Sequence, residues 1–162
     1  MILIDTDHAT FLKYPESERG RRLIGRLEAV PESEVVAVAI VTVEERMRGW
    51  LAAIAKERTA TRQVAGYREL SRLFEFYQEF EIAPFDEAAA RQFDDLRDQR
   101  LRLGTMDLKI AAIALAQNAL PLSANLRDFG RVYRLEKLED TSPWLSVLAV
   151  TIGAVLIVPA VV

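Results

Sequence analysis

Acidic side chains stand at four separated places in this 162-residue chain, each beside a strong secondary-structure signal. Asp5 and Asp7 close the short apolar run Met1-Ile2-Leu3-Ile4, and Glu44 and Glu45 follow the β-branched run Val35–Val41 by one turn. Asp107 comes just after Gly104-Thr105, at the head of an apolar stretch, and Asp128 lies just past Leu120–Ala124. Carboxylates are hard oxygen ligands suited to Mg²⁺ or Mn²⁺. A dication held by them can orient and deprotonate a water and stabilise charge on a phosphodiester. Singly, each acid has a plainer role, as a turn residue, a complement to a helix dipole or a loop cap. Together at one rim they would repel and raise one another's pKa unless a cation neutralised them. Joint placement is what points to a phosphoryl-transfer site.

Composition narrows the chemistry. The chain has no cysteine and a single histidine, His8, which excludes thiolate catalysis, disulfides and an all-histidine zinc site. His8 reads as a surface or rim residue without a role. A charged fraction of 28% and a hydrophobic fraction of 51% are those of a globular protein, and a net charge of −3 does not advertise a nucleic-acid binder. Ile2-Leu3-Ile4 is too short for a signal peptide and acids follow at once, so a cytoplasmic protein is expected.

Strand and helix signals alternate along the chain. Met1–Ile4 is a short strand, and Phe11 to Val30 reads as one helix with Leu12, Leu23, Ile24 and Leu27 inward. Val35–Val41 has the unbroken apolar character of a buried parallel strand. Thr42 can cap a helix that starts near Val43 and carries Glu44 and Glu45 in its first turn. Val64, Tyr67, Leu70, Leu73, Phe74, Tyr77 and Phe80 recur at helical spacing, a stripe expected to be core or a helix seam. Glu81–Phe85 suits an edge strand, and Asp86 caps a helix from Glu87 to Arg100. Thr105 is a good N-cap for a helix that is apolar almost all round and therefore buried. Ala119–Ala124 and Val132–Leu138 complete the strands. The alternation predicts an α/β fold with a central, mostly parallel sheet and helices on both faces, and such sheets carry their sites at the strands' carboxyl ends.

At this point four ordered motifs resemble the PIN-domain ribonucleases, specifically the VapC-type toxins of bacterial toxin–antitoxin pairs. They are Met1-Ile2-Leu3-Ile4-Asp5-Thr6-Asp7; Thr42-Val43-Glu44-Glu45 with Arg48-Gly49; Gly104-Thr105-Met106-Asp107 with Ile110-Ala111-Ala112; and Asn125-Leu126-Arg127-Asp128-Phe129. The resemblance covers residues 1–144 and implies a PIN-like three-layer α/β/α nuclease domain. Carried onto this chain, the family's acidic quartet falls on Asp5, Glu45, Asp107 and Asp128, which bind Mg²⁺ or Mn²⁺. The family further implies endoribonuclease activity on RNA, a homodimer, and a small antitoxin whose tail covers the site. The chain departs from many relatives in having Asp7 where they have Asn, so a fifth acid can join the site. The tandem Glu44-Glu45 leaves the second ligand open, and Glu45 is chosen for its place three residues after Thr42. For RNA contact, Arg127 is the first candidate, followed by Arg46 and Arg48.

Two other readings fit parts of the pattern. A haloacid-dehalogenase-like phosphatase also ends an apolar strand in Asp-x-Asp, with Asp5 as nucleophile and Asp7 as acid/base. It wants Thr or Val where Ala9 stands and a catalytic lysine that the chain does not offer. A non-catalytic PIN-fold interaction module would act instead through the aromatic helix Val64–Phe80. Trp50 and Trp144 read as packing anchors. Residues 145–162 carry no charge and form a hydrophobic C-terminal tail beyond the resemblance, expected to be a short helix able to associate weakly with a membrane.

Overall fold

The computed structural model describes residues 1–123; the expected last strand at Val132–Leu138, Arg127 and Asp128, Trp144 and the tail 145–162 lie outside the described residues. The described elements run β1 (Ile2–Ile4), α1 (Thr6–Lys13), α2 (Glu18–Leu27), β2 (Val36–Ala39), α3 (Ile40–Lys56), α4 (Ala60–Tyr77), β3 (Glu81–Ala83), α5 (Glu87–Asp98), α6 (Thr105–Ala116) and β4 (Leu120–Leu122). The four strands form one sheet in the order β3-β2-β1-β4, parallel throughout. Ile2 is level with Val36 on one side and Leu120 on the other.

Helices cover both faces, and the side-chain alternation of the strands shows which residues serve each. Leu3, Ala37 and Ala39 pack with α5 and α6 through Ala89, Leu96, Ile110 and Ile113. Ile2, Ile4 and Val38 pack with α1, α2 and α4 through Ala9, Leu23, Leu73 and Tyr77. A strand buried on both faces has no polar side to show, which is why β1 and β2 read as unbroken apolar runs. The core on the first face is rich in small residues, Ala37 and Ala39 from the sheet and Ala111, Ala112 and Ala114 from α6. All five are fully buried.

Several boundaries differ from expectation for identifiable reasons. The expected helix Phe11–Val30 is two helices, because Pro15 cannot continue α1 and Ser17 starts α2 afresh, accepting from the Gly20 amide at 3.0 Å. Gly20 is required there, since a Cβ would collide with the Tyr14 carbonyl oxygen. β2 stops at Ala39, the last residue with a partner in β3, and the backbone turns directly into helix to satisfy its own hydrogen bonds. Ala39, not Thr42, is therefore the N-cap of α3; Thr42 is fully buried within the helix and Glu44 and Glu45 lie beyond its first turn. Gly104, not Thr105, is the N-cap of α6. The aromatic stripe of α4 is only partly core: Leu73 and Tyr77 are buried, while Val64, Tyr67 and Phe74 are exposed.

Candidate active site at the carboxyl edge

Since all four strands point one way, their carboxyl ends share an edge, and Asp5 follows β1 there while α3 leaves β2 there. α6 feeds β4 through a short turn ended by Asn118 in a left-handed conformation (φ 47°), so its first turn, with Asp107, lies toward the same edge. Asp107 is half-buried, with one carboxylate oxygen folded back toward Gly104.

Asp5 is not the free end of a strand but the N-cap of α1. Its Oδ1 accepts the His8 amide at 2.8 Å, as a cap should, and also the His8 ring Nδ1 at 2.9 Å. The Ser123 side chain bonds to the same carboxylate. Burial by itself would raise the Asp5 carboxyl; the hydrogen bonds from His8 and Ser123 outweigh it and hold the group below its ordinary value. Asp5 is thus a buried anion with its donors in place.

This overturns the reading of His8 as a surface residue. The ring is 5% exposed and stands edge-on to Phe11, with ring centres 5.7 Å apart. The spacing Asp5-x-x-His8 is the signal that could have found it, because an N-cap acid faces the residue three positions on.

Glu45 reaches the same corner. The Thr6 hydroxyl donates to its Oε2 at 2.6 Å and lies 3.4 Å from the Thr42 hydroxyl. Thr6 is the neighbour of Asp5, so one residue links the acid after β1 to the acid on α3. The tandem pair divides cleanly: Glu44 turns outward to an exposed ion pair with Arg48 at 2.7 Å. Asp7 is exposed on the first turn of α1. Behind Glu45, Tyr77 of α4 is buried, and its hydroxyl is pushed up to about 12, mainly by that burial, with Arg46 opposing and Glu45 adding to the shift.

The donors suit a hard cation in kind, being oxygen throughout with Asp5 held ionised. In number the described residues fall short: among them no three acid or histidine side chains stand together closely enough to hold a metal ion. Asp5 and Glu45 are joined through Thr6, Asp107 is on the neighbouring helix end, and Asp128 lies outside the described residues.

Comparison with known proteins agrees with this architecture. A protein-family model described as "PIN domain" matches residues 2–135. Among solved structures, one chain of VapBC-1 from nontypeable Haemophilus influenzae is similar in fold, with a TM-score of 0.62 at 18% identity over 83% of this chain and 94% of that one. A chain of DNA-bound VapBC from Salmonella typhimurium gives 0.62 at 22% identity over 82% and 93%. A chain of a toxin–antitoxin complex from Klebsiella pneumoniae gives 0.56 at 22% identity over 80% and 90%. No curated protein matches the chain in sequence.

Proposed function

The chain belongs to the PIN-domain family, and on that premise we propose that it is a metal-dependent endoribonuclease, the toxin of a toxin–antitoxin pair. The observation that carries this reading is the Asp5–Thr6–Glu45 connection at the carboxyl edge, with Asp5 kept anionic in a buried place. A carboxylate held ionised by hydrogen bonds at the strand ends offers an oxygen ligand suited to a hard cation. The family match also spans all four acids of the proposed quartet, Asp5, Glu45, Asp107 and Asp128.

In this reading Asp5, Glu45, Asp107 and Asp128 would hold Mg²⁺ or Mn²⁺, which when bound would supply a more acidic water and neutralise charge at the scissile phosphate. The chain's own residues prepare the place. His8 and Ser123 hold Asp5, Thr6 orients Glu45, and the N-terminal turn of α6 carries Asp107 where backbone N–H groups favour negative charge. Arg46, half-buried beside Tyr77, is the described arginine best placed to meet an RNA phosphate, whereas Arg48 is occupied by Glu44. The similarity to a chain of a toxin–antitoxin complex supports a small antitoxin as partner, and a homodimer is proposed with it. We further propose a cytoplasmic protein, with weak membrane association through residues 145–162 as a separate proposal. No helix among the described residues is long and apolar enough to cross a membrane. Equal solubility of the full chain and a chain stopped after Trp144 would count against the membrane contact.

The phosphatase reading falls away with the family match. The non-catalytic module keeps one observation in its favour, the exposed Val64, Tyr67 and Phe74 on α4. One experiment separates the two: incubate the full chain with mixed RNA and Mg²⁺, Mn²⁺ or chelator. Asp5→Asn and Asp107→Asn should each lower cleavage at least about a hundredfold with the fold intact. Undiminished cleavage by both variants, with Mg²⁺ as sole metal, refutes the assignment. A melting temperature indifferent to Mn²⁺, with no cleavage, favours the module.

A further inference from the structure

We infer that His8 is a positioning residue that makes Asp5 a one-oxygen ligand and thereby tunes the site to Mg²⁺ or Mn²⁺ against Ca²⁺. The inference rests on the metal-dependent reading above and adds to it a determinant of which cation is accepted.

The lone pairs of Asp5 decide the matter. A carboxylate offers about four lone-pair sites, two on each oxygen. Oδ1 accepts both the His8 amide, at 2.8 Å, and His8 Nδ1, at 2.9 Å. An ionised carboxylate cannot donate, so Nδ1 carries the hydrogen and the ring tautomer follows from its partner. Both sites on Oδ1 are then filled. Ser123 takes at most one more, so what Asp5 has left for a ligand is on Oδ2. The backbone bond of the cap would hold Oδ1 with any residue at position 8. The ring supplies the second bond, and it is kept from swinging away by its burial and by Phe11.

Denticity matters to the choice of ion. Ca²⁺ takes more oxygens and accepts both oxygens of one carboxylate, whereas Mg²⁺ demands a tight octahedron and takes carboxylates through single oxygens. Filling Oδ1 removes the two-oxygen mode that Ca²⁺ uses well and leaves the one-oxygen mode that Mg²⁺ and Mn²⁺ use. A ring present only for packing would have no reason to discriminate between ions.

The test uses the full chain, its melting temperature followed against added Mn²⁺ and, separately, Ca²⁺. His8→Phe keeps a ring of similar size against Phe11 but has no donor; His8→Asn restores an N–H the same number of bonds from the backbone as Nδ1. His8→Phe should raise the Mn²⁺ concentration needed for the shift by about 10-fold or more, as losing a bond to a ligand typically does. It should also move the Ca²⁺-to-Mn²⁺ preference toward Ca²⁺ by a similar factor, and His8→Asn should restore both. Should His8→Phe not fold, His8→Leu makes the same comparison. A preference within about twofold of wild type in the donor-less variant, while wild type responds to Mn²⁺, overturns the role of His8 alone. Indifference of the wild type to both ions overturns the metal reading and this inference together.

Discussion

Replacing Thr6 with valine removes one hydroxyl while leaving a side chain of the same shape. That hydroxyl donates to Glu45 Oε2 at 2.6 Å, and Val at the first position of α1 can keep the helix, because the Asp5 cap uses other atoms. A hydrogen bond to a charged group contributes about 1.5–3 kcal/mol net. Both residues are half-buried, so water partly replaces the lost donor and the expected cost is at the lower end, about 1–2 kcal/mol. The Thr42 hydroxyl, 3.4 Å from that of Thr6, is too distant to contribute much. Urea denaturation of Thr6→Val, Glu45→Ala and the double variant isolates the pair. Glu45→Ala alone can be neutral or stabilising, because it also removes a negative charge near Asp5. The coupling energy is therefore the informative quantity, and it should be about 1–2 kcal/mol favourable. A value within about 0.3 kcal/mol of zero, the ordinary limit of additivity, would show that Thr6 does not hold Glu45.

Other substitutions test the frame around the site. Gly66→Ala gains about 1 kcal/mol of helix propensity, but its Cβ would stand 2.5 Å from Ile54 Cγ1 across the α3–α4 contact. Overpacking of this kind costs about 1–3 kcal/mol, so Gly66→Ala should destabilise the wild type and become stabilising in an Ile54→Ala background, read from urea midpoints. Leu73→Ala empties a fully buried position between α4 and the sheet and should cost about 2–5 kcal/mol in the same assay. Ser17→Ala loses the cap of α2, which accepts from Gly20 and donates to the Tyr14 carbonyl at 2.7 Å; a loss of about 1 kcal/mol is expected by thermal melts.

The legible parts of the chain were those where local signal and tertiary demand coincide. β1 and β2 show their burial on both faces as continuous apolar runs, and α6 shows its own in having almost no polar residue. Asp86 behaves as the cap it resembles, accepting the Ala89 amide at 2.9 Å. Thr42 illustrates what local signal misses. It has the chemistry of a cap, yet the sheet runs out of partners at Ala39, and that tertiary fact moves the helix start forward. Pro15 sits inside an amphipathic pattern that continues on both sides of it, so periodicity alone reads α1 and α2 as one helix. At the site, Asp5 and Glu45 were identifiable as acids beside strand ends. Their connection through Thr6, and the His8 ring behind Asp5, depend on side-chain directions at the turn from β1 into α1. The apolar stripe of α4 is wider than the face that the core covers, and helical periodicity reports a stripe without saying how much of it meets a neighbour.

The strand order bears on the moment at which this protein could become active. β1 is the first strand made, yet its neighbour on one side is β4, whose Leu120 pairs with Ile2 from the far end of the described chain. On a ribosome adding about 5–20 residues per second, β1 therefore waits with one edge open until nearly all the described chain has emerged. Ser123, which secures Asp5, directly follows that last strand. A nascent chain can form its helices and the β1–β2 pair early, but the corner that holds Asp5 closes only once β4 and Ser123 have emerged. Termination before β4 would accordingly release fragments lacking the assembled corner, with the free edge of β1 exposed to pairing with other chains.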